Sequence, residues 1–212
     1  MSLLESHLAE QQLGNASAAL QRLLQQPLSD AQRLQLASVQ ERLLPLTKAR
    51  EQRVLELVQR GEVLAADREA SQLVVAGVWR ASELLAAAPE LSFASNWQGQ
   101  IVTSGKVPMP TPLLRNRKVR VRWRDELRAG VVAGSSRDEV TVRLVSEGGQ
   151  TFPTVKAIAC EPFDSSSSEA VEMGLAAVRA GAPRLARLWM LRAHLLKDEL
   201  TTRGEQLLEL LQ

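Results

Sequence analysis

Basic and apolar side chains alternate over residues 117–124, and this pattern is the strongest candidate for binding chemistry in the chain. One set of alternate positions is apolar and holds Val119, Val121 and Trp123. The other set is cationic and holds Lys118, Arg120, Arg122 and Arg124. Alternation with a period of two is the signature of a half-buried β-strand. We therefore expect the four cations to form a positive row on one face, where phosphate groups or an acidic protein surface could bind.

The positive row has more than one interpretation. Residues 106–128 hold 8 basic side chains against only Asp125 and Glu126, and a nucleic-acid-binding module that uses residues 115–128 is one hypothesis. Alternatively, the charges belong to a solvated edge strand and prevent aggregation between strands. Asp138 and Glu139 could also neutralise the row from a neighbouring strand. The basic face lacks the aromatic side chains on which bases stack, which weighs against the nucleic-acid hypothesis.

Residue types that support catalysis are few and scattered, which favours a protein that is not an enzyme. His7 and His194 are far apart in sequence, and neither has a cysteine or histidine at metal-ligand spacing. A nucleophilic pair of Cys160 with His194 stays an alternative without local support. Gly148-Gly149 lies between predicted strands and lacks the following helix that phosphate binding requires. The sequence therefore predicts no catalytic residue, no metal site and no cofactor.

The composition is that of a folded chain whose positive charge is concentrated in its middle. The 212 residues are 45% hydrophobic and 24% charged, with a net charge of +2. Residues 100–164 hold 11 basic and 7 acidic side chains. No apolar run approaches the ~20 residues that span a bilayer, and the N-terminus has no signal-peptide pattern. From these two observations we expect a cytoplasmic protein that does not bind membranes, and the single cysteine, which cannot form an internal disulfide, fits a reducing compartment.

The first part of the chain has the pattern of successive amphipathic helices. The sequence predicts a helix pair separated at Gly14 and closed at Pro27, followed by helices at about 29–45, 46–61 and 63–88. In this prediction Pro45 ends the third helix, because proline cannot donate the helical hydrogen bond. A Pro-containing connector without periodicity then covers residues 90–116 and contains Trp97. We expect Trp97 to anchor the connector against a helical domain or to contact a partner.

Five candidate strands follow the connector, separated by short polar or glycine-containing turns. They lie at 117–124, 128–134, 138–145, 150–153 and 155–160. Strands of this length and spacing favour a small barrel over a sandwich. After them, Ser166 and Glu169 have capping-box spacing, Gly181-Ala-Pro183 separates two helices, and the second helix is apolar enough to be buried.

These elements predict an α+β protein with four successive parts. The parts are a helical repeat-like domain (1–89), an irregular connector (90–116), a small five-stranded β-barrel (117–164) and a helical hairpin (165–212).

The predicted barrel resembles the Src-homology-3-like small barrels of the Tudor type. The matching pieces are Val119-Arg-Val-Arg-Trp123, Gly130-Val-Val132, Val140-Thr-Val142 and Gly148-Gly149. The resemblance implies binding of modified peptides, proline-rich peptides or nucleic acids. A methyl-lysine reader needs a cage of several aromatic side chains. This segment offers Trp123, Phe152 and the adjacent Phe163, and period-two counting points Trp123 inward.

The helical stretches are similar to tetratricopeptide-type repeats. The first runs from Leu8-Ala9 through Gly14 and Ala18-Ala19-Leu20 to Pro27, and a second possible unit runs from Gly174 to Leu196. The resemblance implies stacked helix pairs whose apolar faces need neighbours.

The architecture and the lack of catalytic residue types favour a non-catalytic adaptor or scaffold that binds another protein. The nucleic-acid-binding module is the competing hypothesis, and an enzyme is the third. The terminal helices have no obvious end caps, which is compatible with docking onto another subunit or with a chain that is part of a longer protein.

Overall fold

The computed structural model describes most of the chain in two compact units. The described residues are 2–10, 12–75, 78–79, 109–136, 138–196 and 204. The first unit comprises residues 1–56 and 66–99, and the second comprises 57–65 and 100–212. Most of the predicted connector at 90–116, including Trp97, lies outside the described residues.

The first unit begins with the predicted pair of helices, α1 (Ser2–Ala9) and α2 (Leu13–Leu24). Gly14 lies in the first turn of α2 instead of between the helices, and its amide donates to the Gln72 carbonyl over 3.0 Å. The Gln12 side-chain carbonyl joins the two helices, since it lies 3.0 Å from His7 Nδ1 and accepts from Asn15 over 2.9 Å. The sequence pattern thus located both helices, and His7 is used in their connection.

The third helix, α3 (Asp30–Gln59), is continuous, so the prediction that it ends at Pro45 is wrong. A proline inside a helix costs about 3 kcal/mol because it lacks an N–H and its ring crowds the preceding turn. Leu36, Leu43 and Val54 are buried on both sides of Pro45. Each buried side chain of this kind contributes about 1.5–3 kcal/mol, so packing outweighs the cost of the proline.

The predicted helix at 63–88 is also wrong over Val74–Val75 and Val78–Trp79. α4 (Val63–Ser71) is followed by two short antiparallel strands, β1 (Val74–Val75) and β2 (Val78–Trp79), in which Val75 pairs with Val78. β-Branched valines lose side-chain freedom in a helix and favour extended backbone. The remainder of the predicted helix, residues 80–88, lies outside the described part of the chain.

The second unit is built on an antiparallel sheet of six strands. They are β3 (Lys118–Trp123), β4 (Glu126–Ser135), β5 (Glu139–Ser146), β6 (Gly149–Thr151), β7 (Thr154–Lys156) and β8 (Cys160–Pro162). Their order is β6-β5-β4-β3-β8, and β7 also pairs with β5.

This sheet is open, so the prediction of a closed five-stranded barrel is corrected. The predicted fifth strand is interrupted by a 3₁₀ helix, Ala157–Ala159. The 3₁₀ helix connects β7 at one edge of the sheet to β8 at the opposite edge. β8 pairs with β3, while β6 and β7 both pair with β5. Within the described part of the chain, no pairing joins these two edges.

β6 and β7 form one edge segment, residues 149–156, in a single register against β5. Leu144 pairs with Thr151 and Thr141 pairs with Thr154, so the register continues across the break between the strands. The break occurs at Pro153, which has no N–H, although its carbonyl accepts from the Val142 amide over 2.9 Å. The continuous register places Phe152 opposite Arg143.

One face of the sheet carries the core of this unit. The buried residues on it are Val119, Val121, Val132, Val140, Val142, Leu144 and Cys160. Trp123 packs partly against them, which confirms its predicted inward direction. Gly130 also faces this core, and a Cβ added there would lie 2.7 Å from Leu144 Cδ2. Only glycine therefore fits at this position without displacing neighbours.

The second unit ends with the predicted helix pair, α5 (Ser167–Arg179) and α6 (Pro183–Leu195). The capping box of Ser166 and Glu169 is present, and Gly181 has a φ of +67° between the helices. Arg117 forms two hydrogen bonds of 2.9 Å with Glu169, which fixes α5 beside the start of β3. α6 is buried along most of its length, as its apolar composition predicts. No helix in the described residues is long and apolar enough to cross a bilayer.

Candidate functional site

The face of the sheet opposite its core is called the outer face, and it carries three of the four predicted cations. Lys118, Arg120 and Arg122 lie on β3 and alternate with its buried valines. Arg124 follows the strand in a turn with a φ of 52°, so it leaves the row. Its guanidinium carbon instead lies 4.4 Å from the centre of the Trp123 ring.

Arg120 binds groups within its own unit. It forms an ion pair with Glu161 of β8, donates to the Gly61 carbonyl over 3.2 Å, and stacks 4.6 Å from the centre of the Phe163 ring. Glu161 is only 1% exposed, and it also accepts the Leu64 amide over 2.6 Å. Since Leu64 lies in the first turn of α4, the Glu161 carboxylate caps the N-terminus of that helix.

Two further arginines bind the same connection between α3 and α4. Arg122 donates to the Leu64 carbonyl over 2.7 Å. Arg192, on α6, donates to the Gln59 carbonyl over 2.7 Å at the C-terminal end of α3. Cations are favourable there because the last carbonyls of a helix lack helical partners. We call this set the junction clamp: Arg120, Arg122, Glu161 and Arg192, which together hold residues 57–65.

The junction clamp consists of charged groups that are partly or fully removed from water. Burial raises the pKa of Glu161, while its hydrogen bonds from the Leu64 amide and Arg120 act in the opposite direction. Burial also lowers the pKa of Arg192, and the nearby Asp164 and Glu161 oppose that effect. Each charge is therefore tolerated because its partners are present, and losing one partner leaves the others desolvated.

Much of the remaining outer face is exposed, although Val131 on it is partly buried. Lys118 pairs across the strands with Val131, and Val131 pairs with Arg143. Phe152 lies opposite Arg143 in the edge segment. Phe152 is 55% exposed and Val145, two residues after Arg143 on the same face, is 73% exposed. We call this set the exposed outer patch: Lys118, Val131, Arg143, Val145 and Phe152.

The sequence located some of these groups and missed others. The predicted binding residues divide into two groups, since Arg120 and Arg122 belong to the junction clamp while Lys118 and Arg124 are exposed. Trp97 lies outside the described residues. The exposed positions of Val145 and Phe152 were not predicted, although period-two counting along β5 and the edge segment carried that signal. Glu161 had no such signal, because its partner Leu64 is 97 residues away.

Arginines lie over the rings of Trp123 and Phe163, two of the three aromatic residues that the sequence offers for a cage. Arg124 and Arg128 lie 4.4 and 5.3 Å from the centre of the Trp123 ring, and Arg120 lies over Phe163. These arginines occupy the positions over the rings that a bound cation would need.

The proposed nucleophile pair receives no geometric support. Cys160 is fully buried in the core of the sheet, and burial raises the pKa of its thiol to about 12. Its thiolate, the reactive form, is therefore suppressed at neutral pH. His194 is exposed on α6. Among the residues that the structure describes, no group of three or more His, Cys, Asp or Glu side chains could hold a metal ion.

Comparison of the chain with protein-family models, with curated proteins and with solved structures found no match.

Proposed function

We propose that this chain is a non-catalytic interaction protein and that its exposed outer patch binds a segment of another protein. The observation that carries the proposal is the exposure of Val145 and Phe152 on a sheet face that ends at an edge with which no other described strand pairs. Burying apolar side chains of this size contributes about 1.5–3 kcal/mol each. An aromatic anchor with aliphatic neighbours is a common centre of protein interfaces. We also propose a cytoplasmic location, with which the free thiol of the single cysteine, Cys160, is compatible.

The junction clamp supports an adaptor more than a nucleic-acid-binding module. Arg120 and Arg122 form the centre of the predicted phosphate-binding row. Arg120 binds the Glu161 carboxylate and the Gly61 carbonyl, and Arg122 binds the Leu64 carbonyl. Binding phosphate through them would require breaking the contacts that hold residues 57–65. A buried ion pair that loses one partner costs about 3–5 kcal/mol.

Nucleic-acid binding remains a second candidate at a different place from the predicted row. Lys118, Arg143 and Phe152 combine two exposed cations with one exposed aromatic ring on the same face. Bases stack on such rings while cations bind the backbone. One ring and two cations form a small surface for this purpose, so the protein-binding proposal takes precedence.

The proposal is tested by comparing proteins that copurify with the tagged chain and with two variants. Val145→Ser/Phe152→Ser removes the apolar centre of the patch. Leu114→Ser is the matched control, because Leu114 is 74% exposed in the same unit but is not part of the sheet. Quantitative mass spectrometry is expected to show partners that the control retains and the double variant loses. Equal recovery by both variants, with unchanged thermal unfolding, would remove this surface as the binding site.

A further inference from the structure

The edge segment 149–156 contributes Phe152 to the exposed outer patch, and within the described residues no strand pairs with its outer side. We infer that the partner segment is an extended acidic peptide, which binds by adding a strand to this edge while its side chains contact Phe152 and Arg143. This inference rests on the proposed function and specifies the chemistry of the partner. Its support comes from the backbone of the edge, from the side chains along it and from the charges behind it.

The backbone pattern shows which groups of the edge point away from the sheet. The Val142 amide donates to the Pro153 carbonyl over 2.9 Å, and the Ala157 amide donates to the Asp138 carbonyl over 2.8 Å. In an antiparallel pair, residues alternate between bonding the neighbouring strand and pointing away from it. Since 153 and 157 bond toward β5, the even-numbered residues 150, 152 and 154 direct their N–H and C=O groups outward.

Pro153 does not protect the outer side of this edge. Proline and charged residues commonly prevent strand addition at exposed edges. Here the missing N–H of Pro153 would have pointed toward β5, so the proline leaves the outward row intact. Among the outward-facing residues of the segment, Gln150, Phe152 and Thr154 are uncharged and exposed. Lys156, at the end of the segment, is exposed and basic, so it would attract an acidic strand. Within the described residues, no strand pairs with this side. Strand addition by an extended peptide is a recurrent mode of recognition at such edges.

The cations on the strands next to this edge favour an acidic peptide. Arg143 lies opposite Phe152 and is exposed, and Lys118 lies two strands further along the same cross-strand row. Among the described residues, neither cation forms an ion pair. An added strand would lie about 10 Å from β5, a span that an arginine and a glutamate side chain can close together. Residues 100–164 carry 11 basic and 7 acidic side chains, so the excess charge there is +4.

The test begins with selection of random dodecapeptides displayed on phage against the full chain. The same library is selected against Val145→Ser/Phe152→Ser to remove peptides that bind elsewhere. Enriched peptides are expected to alternate apolar residues with aspartate or glutamate. Fluorescence anisotropy of the synthetic peptides then measures their affinity. Arg143→Glu should weaken binding by at least about tenfold, because it replaces an attraction by a repulsion. The matched control Arg115→Glu, at an exposed position outside the sheet, should leave the affinity within about twofold.

Strand addition is tested separately from contact through side chains. N-methylation of the alternate peptide amides that face the edge should abolish binding, whereas N-methylation of the other set should be tolerated. Hydrogen exchange of the Phe152 and Thr154 amides should slow when the peptide is bound. Single-stranded RNA and DNA of the same length serve as competing probes.

Specific outcomes would overturn the inference. The first is that no peptide is enriched on the wild type over the double variant, and the second is that the enriched peptides have no acidic bias. The third is that both N-methylation patterns weaken binding equally. The fourth is that oligonucleotides bind more tightly than the peptides and that Phe152→Ser abolishes this binding. If any of these occurs while copurifying proteins are still lost from Val145→Ser/Phe152→Ser, the proposed function stands and the acidic strand fails. If copurification is also unchanged, both fail.

Discussion

The Glu161 carboxylate on β8 accepts a hydrogen bond of 2.6 Å from the Leu64 amide in the first turn of α4, across 97 residues of sequence. Arg120 binds the same carboxylate from the neighbouring strand. One buried acid thus joins a helix N-terminus to the sheet, and desolvation raises its pKa while the hydrogen bonds from its two donors oppose that effect.

Glu161→Ala should destabilise the protein strongly. The variant removes the acceptor of the Leu64 amide and leaves Arg120 without its carboxylate, and breaking a buried pair costs about 3–5 kcal/mol. Glu126→Ala is the matched control, because Glu126 pairs with Arg128 at the surface, where such pairs contribute about 0–1 kcal/mol. Urea unfolding followed by circular dichroism measures both changes. A loss at Glu161 no larger than that at Glu126 would show that the junction clamp does not stabilise the fold.

Glu161 should also give the protein an unusual dependence on pH. Because burial raises the pKa of Glu161 in the folded state, the native protein retains this proton at pH values where the unfolded chain has released it. The favourable contribution is complete below the ordinary glutamate pKa of 4.5 and is lost as pH rises through the folded pKa.

Glu161→Gln should remove this contribution to the pH dependence. The free energy of unfolding, measured from acidic to neutral pH, should fall less steeply with rising pH in the variant than in the wild type. Parallel curves would mean that the hydrogen bonds from Leu64 and Arg120 offset desolvation, and a wild-type contribution that grows with pH would mean that they outweigh it.

The Cys160 thiol should be inert in the folded protein. Burial raises its pKa from 9.0 to about 12, and the side chain has no exposed surface. Alkylation by iodoacetamide at pH 8, monitored by mass spectrometry, should be undetectable until denaturant is added, after which one adduct forms. Labelling of the native protein at the rate of the unfolded chain would contradict the packing of β8 against the core.

Gly130→Ala should destabilise the sheet by about 1–3 kcal/mol, since overpacking shifts neighbouring side chains or backbone. The new methyl group would lie 2.7 Å from Leu144 Cδ2 and 3.0 Å from the Arg143 carbonyl oxygen. Gly134→Ala, four residues along the same strand, is the matched control because nothing lies within 4 Å of its added Cβ. Thermal unfolding of both variants measures the difference. Equal melting temperatures would indicate that β5 moves away without cost.

Features determined over a few residues could be predicted from the sequence. The Ser166 and Glu169 capping box involves neighbours in the chain, and the alternation over Lys118–Trp123 reports burial directly. The predicted helix end at Pro45 is wrong because helix propensity alone does not include the packing of the buried residues on both sides of the proline.

Features that depend on distant residues could not be predicted. Arg120 and Arg122 have the spacing of a solvated row, and only the position of residues 57–65 shows that both are used internally. The open edge depends on where β8 pairs, which no local pattern specifies. The sequence therefore located the strands but assigned the arginines of β3 to the wrong surroundings.

The separation of Leu64 from Glu161 has a consequence for how the chain is made. A ribosome that adds about 5–20 residues per second needs roughly 5–20 seconds to advance from the α4 turn to its cap. During that interval the nascent helix start has neither its carboxylate nor the strand that carries it. The helical part emerges first with the first α4 amides bonded to water, and the Leu64 amide gains its carboxylate only when the last strand of the sheet leaves the exit tunnel.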